Sequence, residues 1–166
     1  FFNWRKEEEI AECDLPCDYP RIAFRDLARA KDERTIISCL VPPKVILTNK
    51  APYLLRFLGS ERDEAFILGI LSSIPLDWYA RRYVELGVNF HIFNRLPIPN
   101  VPSDDYRRER IIVLAGELAA VDARFKDWAG SVGVKVGTVT SETDRESHIA
   151  EIDALASHLY GLTRSQ

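Results

Sequence analysis

A proline-rich stretch, residues 96–102, constrains the fold more than any other feature of this 166-residue chain. It reads Leu-Pro-Ile-Pro-Asn-Val-Pro. Each proline fixes its own φ, lacks a backbone N–H and disfavours helix at the preceding residue. Neither a regular helix nor a central strand can run through the stretch. The sequence therefore predicts an extended connector here, which ends a sheet-containing part and precedes a helical part.

The residues before the connector combine two kinds of apolar pattern. Period-two alternation predicts short strands, near residues 21–29, 44–48 and 88–94. Helical spacing or an uninterrupted apolar run predicts helices, over residues 33–40, 63–73 and 76–87. We therefore expect a small mixed or antiparallel sheet that is flanked by helices.

The residues after the connector are dominated by helical periodicity. Apolar positions from Ile111 to Phe125 predict one long helix over residues 105–128. A Gly- and Val-rich segment, 130–140, is predicted to be a loop or small hairpin. The sequence from Ser141 to Asp144 resembles a capping box, which opens a last helix that Gly161 can end. With the sheet-containing part, these two long C-terminal helices predict a mixed α+β fold.

Length and composition limit the possible classes of protein. The length suits one domain, and 46% hydrophobic with 28% charged residues is an ordinary globular composition. No stretch approaches the roughly 20 apolar residues of a membrane span, so we expect a cytoplasmic protein without a membrane partner. The sequence contains no Met. This absence predicts a processed product or a piece of a longer polypeptide.

The same features suggest a division of the chain into three parts. We interpret residues 1–19, which lack sustained periodicity, as an N-terminal arm that joins an upstream region. Residues 20–104 would form a core that carries the function. Residues 105–166 would form a helical part packed on that core.

The cysteines predict reduced thiols rather than a disulfide framework. The chain has three, Cys13, Cys17 and Cys39, and an odd number cannot all pair with one another. The spacing of the first two suits half of a zinc site, but no second pair of ligands follows. The sequence also lacks a glycine-rich phosphate loop, a serine elbow and paired metal-binding histidines. It predicts a chain that is not catalytic and holds no cofactor by itself.

Arginine dominates the basic residues, with 16 Arg against 6 Lys, although the net charge is −3. Arg21, Arg25 and Arg29 are spaced by four and would share one side of their segment. Such a stripe, together with Arg34 and Lys50, suits a DNA phosphate backbone. The same spacing also suits a solvated surface with ion pairs to neighbouring acids.

The predicted strand 88–94 carries a second group of candidate DNA-binding residues. Asn89 and His91 alternate with apolar positions, and Asn94 and Arg95 follow at the exit. An Asn side chain can make two hydrogen bonds to the edge of adenine, and an Arg side chain can make two to the edge of guanine. The alternative interpretation is an ordinary solvent-facing sheet surface.

Four segments, which follow one another in a fixed order along the chain, resemble a known family. They are Pro20–Thr35, Val41–Pro43, Leu71–Trp78 and Asn89–Pro99. They resemble the C-terminal target recognition region, of the TaqI-like specificity type, in type IIG-like restriction-modification methylases. The Leu-Pro-x-Pro sequence followed by a long helix is also similar to the end of a recognition domain in type I specificity subunits.

The resemblance, which spans about residues 20–128, implies a function. Such domains read a DNA sequence and present a flipped adenine to a methyltransferase domain upstream, which alone would bind S-adenosylmethionine. We therefore expect sequence-specific recognition of double-stranded DNA within a restriction-modification or phage-defence methyltransferase or endonuclease. The alternative is a protein-interaction or dimerisation module that uses the two C-terminal helices. A stand-alone enzyme is a third hypothesis.

Overall fold

The computed structural model describes residues 15–29 and 31–163 and has a mixed α+β fold, which confirms the predicted class. The two strands, β1 and β2, span Arg21–Phe24 and Ser38–Val41. The six helices, α1 to α6, span Glu61–Leu71, Ile74–Ala80, Phe90–Phe93, Tyr106–Ala119, Lys126–Val132 and Glu142–Leu159. Short 3-10 turns occupy Pro16–Asp18 and Ala123–Phe125.

The two strands pair antiparallel, with Arg21 opposite Val41 and Phe24 opposite Ser38. The predicted strand 21–29 is therefore correct only for its first four residues. The predicted helix 33–40 is wrong, since residues 33–37 are not helical and the last three residues belong to β2. Ile36 and Leu40 share a face in either conformation, so their spacing could not distinguish helix from strand.

A buried carboxylate helps to determine this outcome. Asp77 accepts hydrogen bonds from the backbone N–H groups of Thr35 and Ile36, both at 2.7 Å. Its other carboxylate oxygen accepts from Arg81 at 2.8 Å. The carboxylate holds the chain in the extended approach to β2. The strand predicted near residues 44–48 is also absent from the described structure, and Lys44 has a φ of 62° after the Pro-Pro turn.

Helix α1 confirms the prediction of a buried helix over residues 63–73, with slightly earlier bounds. Ser60 caps it, and the Asp63 carboxylate accepts a hydrogen bond from the Ser60 backbone at 2.7 Å. Helix α2 ends at Ala80, well before the predicted end at residue 87. The chain then turns and approaches β1 closely at Gly87, where a Cβ atom would lie 2.9 Å from the carbonyl oxygen of Asp26.

The strand predicted over 88–94 is wrong. Asn89 instead caps the short helix α3, and its side-chain oxygen accepts from the backbone N–H of Ile92 at 3.0 Å. The buried positions are Val88 and Phe93, whereas Phe90 is about half exposed at 47%. Asparagine is strongly preferred at helix N-caps. The capping hydrogen bond of Asn89 stabilises a helix here, although the alternating apolar pattern suggests a strand.

The long helix predicted over 105–128 is two helices, α4 and α5. Helix α4 ends at Ala119, and Ala120 has a ψ of 63°, which no helix accommodates. The Asp122 side chain then caps the 3-10 turn by accepting from the Arg124 backbone. Of the segment predicted as a loop or small hairpin, residues 130–132 belong to α5. Residues 133–140 form a loop and contain no strand, so the hairpin is absent there.

Helix α6 begins and ends as predicted. Ser141 accepts a hydrogen bond from the Asp144 backbone at 3.0 Å, and Gly161 has a φ of 70° just beyond the helix. The main core cluster includes residues of both strands and of all six helices, so the predicted functional core and helical part share one core. The described helices include none that is long and apolar enough to cross a membrane.

Candidate nucleic-acid interface

Arg21 is separated from the predicted arginine stripe because it is buried, with only 4% of its surface exposed. Its guanidinium donates to the carbonyl oxygen of Val45 at 2.5 Å and to that of Tyr19 at 3.3 Å. It also lies 4.7 Å from the centre of the Tyr53 ring. Arg21 thus joins three segments to β1. It is buried inside the protein and does not belong to a DNA-binding surface as predicted.

Arg34 also lies apart from the other candidates. Its guanidinium is 3.8 Å from the carboxylate of Asp153 on α6. It lines a groove between β2 and helices α1, α4 and α6. Burial raises the pKa of Asp153. The Asp153 carboxylate accepts a hydrogen bond from the backbone N–H of Ile74 at 2.7 Å, and this bond opposes the rise.

Three distant segments meet at the C-terminal end of β1, around Asp26. The Asp26 backbone N–H donates to the carbonyl oxygen of Lys50 at 3.1 Å, and its carbonyl accepts from Val88 at 2.7 Å. Its carboxylate pairs with the Lys50 ammonium at 3.2 Å. Asp26 therefore places Lys50 and the start of α3 beside the end of β1.

Aromatic packing holds α3 in this position. The ring of Phe93 stacks on that of Phe24 with centroids 4.1 Å apart, and Phe90 meets the same ring edge-on at 5.6 Å. Phe24 is the last residue of β1 and is itself buried. Helix α3, with the polar residues on and after it, is thus anchored on the last residue of β1.

We call the exposed candidate residues at this end of β1 the polar face. Its members are Arg25, Arg29, Lys50, Asn89, His91, Asn94 and Arg95. These seven of the nine predicted residues lie on segments that meet around Asp26, although the sheet surface predicted to display four of them does not exist. A short helix and its exit present those four instead.

The charges of the polar face are only weakly satisfied. Arg25 pairs with Asp32 at 3.0 Å, and that carboxylate also accepts from the Arg29 backbone at 3.1 Å. No ion pair is recorded for the guanidinium groups of Arg29 and Arg95 among residues 15–29 and 31–163. Exposed ion pairs contribute about 0–1 kcal/mol, so an incoming phosphate can replace them at small cost.

The two asparagines of the polar face differ in what they can offer a ligand. The Asn89 side-chain oxygen is occupied in capping α3. A two-bond contact from Asn89 to adenine would require this oxygen to accept a second hydrogen bond while it caps α3. Asn94 is exposed and no side-chain hydrogen bond is recorded for it within the described part of the chain, so both of its polar groups are available.

Sequence reasoning missed the role of Asp26, which it treated only as a possible ion-pair partner. Gly87 is the sequence signal that could have found it, because a glycine allows the close approach to Asp26 that the structure shows. A glycine after a helix is also an ordinary helix stop, however.

The predicted half-site for zinc includes Cys13, which lies outside the described residues. Cys17 and Cys39 are free thiols, and burial raises the pKa of Cys39. Within the described residues, no group of three or more His, Cys, Asp or Glu side chains could hold a metal ion.

Comparisons of the chain with protein-family models, with curated proteins and with solved structures give no match.

Proposed function

We propose that this chain recognises double-stranded DNA in a sequence-specific manner. One observation carries the proposal: the three distant segments that carry the polar face meet around Asp26 and at the Phe24–Phe93 stack, and each residue of that face is exposed. The chain would be the non-catalytic specificity part of a restriction-modification or phage-defence adenine methyltransferase or endonuclease. The upstream domains would supply catalysis and bind S-adenosylmethionine.

The polar face divides into two chemical roles in this proposal. Arg25, Arg29 and Lys50 follow β1 or pair with Asp26, and they suit contacts with phosphates. Asn94 and Arg95 lie at the exit of α3 and suit base edges. Each two-bond contact of this kind contributes about 1–3 kcal/mol of discrimination between bases.

The packing of the C-terminal helices favours DNA recognition over the alternative of an interaction module. That alternative needs free apolar faces on α4 and α6. Ile111 and Leu114 of α4 are fully buried, as are Ile152 and Ala156 of α6. These four residues pack against each other and against the rest of the core, so the parts of the two faces that they form are already occupied. Leu118 of α4 and Ile149 of α6 remain partly exposed, beside β2.

We expect a binding selection from randomised duplexes to recover a preferred sequence, and the Arg95→Ala variant to lose preference at one or two base pairs. Overall affinity should change little, because the phosphate contacts remain. Arg124→Ala is the matched control, since Arg124 is exposed, pairs with Asp122 and lies outside the polar face. A preferred sequence that is the same for the parent and Arg95→Ala would remove Arg95 from the proposed reading surface.

We expect the Arg25→Ala, Arg29→Ala double variant to weaken binding to every duplex similarly. Each lost phosphate contact should reduce the slope of log affinity against log salt by about 0.9. Titrations with a fluorescent duplex at several salt concentrations measure that slope. If the parent shows no salt dependence, its binding is not to DNA phosphates and the proposed function fails.

A further inference from the structure

Strand β2 has one open edge. The Arg25 N–H donates to the Ile37 carbonyl at 2.9 Å, and Ala23 lies opposite Cys39, so residues 37 and 39 direct their backbone groups toward β1. Backbone groups alternate in direction along a strand. The N–H and C=O groups of Ser38 and Leu40 therefore point away from β1. No partner is recorded for them in the part of the chain that the structure describes.

The open edge lies along a groove of about 470 Å³. β2 and the residues before it form one wall, and the C-terminal halves of α1 and α4 with the first half of α6 form the others. Much of the lining is apolar, including Ile37, Leu118, Val121 and Ile149. Apolar pockets beside an unpaired strand edge are the features that let a sheet accept an added strand.

The charged groups that line this groove are both basic. They are Arg34 and Arg145, and no acidic residue is among the lining. Nη1 of Arg34 is buried and lacks a hydrogen-bond partner within residues 15–29 and 31–163, and the same is true of the Ser38 hydroxyl. Unpaired buried polar atoms are destabilising, so a ligand that pairs with them is favoured.

We propose that the groove binds an extended acidic peptide segment of a partner protein, which adds to β2 as a third strand. The peptide backbone pairs with Ser38 and Leu40, and its apolar side chains enter the groove. A carboxylate of the peptide pairs with Arg145 or with Nη1 of Arg34, whose Nη2 faces Asp153. This site is separate from the polar face and stands or falls independently of the proposed function.

The groove fits a peptide better than DNA or a second copy of this chain. A phosphate backbone has no alternating N–H and C=O groups with which to extend the sheet. A second copy that paired edge to edge would bring Ser-Cys-Leu-Val against the same sequence and would supply no carboxylate to the arginines. An acidic strand satisfies both the backbone edge and the charge.

The test uses random decapeptides displayed on phage and selected on the whole 166-residue chain. Ser38→Pro removes one outward-facing N–H and leaves the ladder to β1 intact, since prolines are tolerated where an edge N–H faces away from the sheet. Arg145→Glu reverses an exposed charge of the groove. Lys135→Glu is the matched control, because Lys135 is exposed and outside the groove. Thermal unfolding verifies that each variant is folded.

We expect the selected peptides to combine Asp or Glu with β-branched residues. Ser38→Pro and Arg145→Glu should each weaken a selected peptide by about tenfold, and Lys135→Glu should not. The peptide should also slow amide hydrogen exchange at Ser38 and Leu40 while leaving the already paired amide of Cys39 unchanged.

Four results would overturn the proposal. They are the absence of any enriched peptide, enrichment without acidic residues, unchanged exchange at Ser38 and Leu40, and a dimer that occupies the edge in the free protein. Loss of duplex binding in Arg145→Glu together with unchanged peptide binding would assign the groove to DNA instead.

Discussion

At the scale of single residues, buried polar groups connect segments that are far apart in the sequence. Glu64 of α1 is 8% exposed and accepts a hydrogen bond from the Trp128 indole at 3.1 Å. Its carboxylate also lies 3.4 Å from the Arg56 guanidinium. Burial raises the pKa of Glu64, and the contacts with Trp128 and Arg56 oppose that rise.

This raised pKa predicts a pH-dependent effect of Glu64→Gln. The native state holds the Glu64 proton more tightly than the unfolded state, so the contribution of this group to stability falls as pH rises through and above its usual range. The variant should therefore gain stability relative to the parent between about pH 4 and pH 7. Urea unfolding of both proteins across that range measures the difference, and Glu85→Gln, at an exposed position, is the control. A difference that shrinks with rising pH would contradict this account.

At the scale of elements, the contact between α1 and α4 depends on a glycine. A Cβ atom at Gly69 would lie 2.5 Å from Cγ2 of Ile111 and 3.2 Å from Cβ of Ala115. A β-branched side chain has little freedom to move away. The absence of a side chain at Gly69 therefore sets how closely the two helices approach.

We expect Gly69→Ala to destabilise the protein by about 1–3 kcal/mol, because the added methyl group forces α1 and α4 apart. Gly130→Ala is the matched control. It lies within α5 and has open space around its Cβ position, so it should stabilise by about 0.5–1 kcal/mol. Urea midpoints measure both changes. Equal effects of the two substitutions would show that helix propensity, and not the close approach, determines the result.

At the scale of the whole molecule, α6 closes the fold. Ile152 and Ala156 enter the core, the Asp153 carboxylate accepts from the backbone of Ile74 at 2.7 Å, and the Tyr160 hydroxyl donates to the Pro97 carbonyl at 2.7 Å. The last contact ties the proline connector to the C-terminal helix. The connector is thereby held in place by tertiary contact as well as by its own prolines.

We expect a chain that ends at residue 140 to lose cooperative unfolding, because Leu114 and Ala115 of α4 would lose the apolar partner Ile152. Urea titration followed by tryptophan fluorescence and by circular dichroism measures this loss. Ile152→Ala in the intact chain should retain a cooperative transition at reduced stability, by about 2–5 kcal/mol. A truncated chain that unfolds in one sharp transition would show that residues 15–140 fold on their own.

Sequence alone predicted the exposure of part of the polar face, for a local reason. Arg25, Arg29, Lys50 and Arg95 are exposed, as charged side chains usually are. The same rule failed at Arg21, which is buried because carbonyl oxygens of Tyr19 and Val45 surround it. No local pattern announces such partners. The meeting of the segments that carry the seven residues likewise depends on Asp26, whose hydrogen bonds reach across the fold.

The sequence by itself determined the elements whose signals are local. Ser60 with Asp63, and Ser141 with Asp144, specify where α1 and α6 begin through hydrogen bonds within one turn. Tertiary structure was needed for the others. Residues 38–41 became a strand next to a segment that the Asp77 carboxylate holds from 42 residues away. Residues 90–93 became a helix through the local Asn89 cap together with packing on Phe24. Apolar spacing of four residues is compatible with both conformations, so only the long-range partners could choose between them.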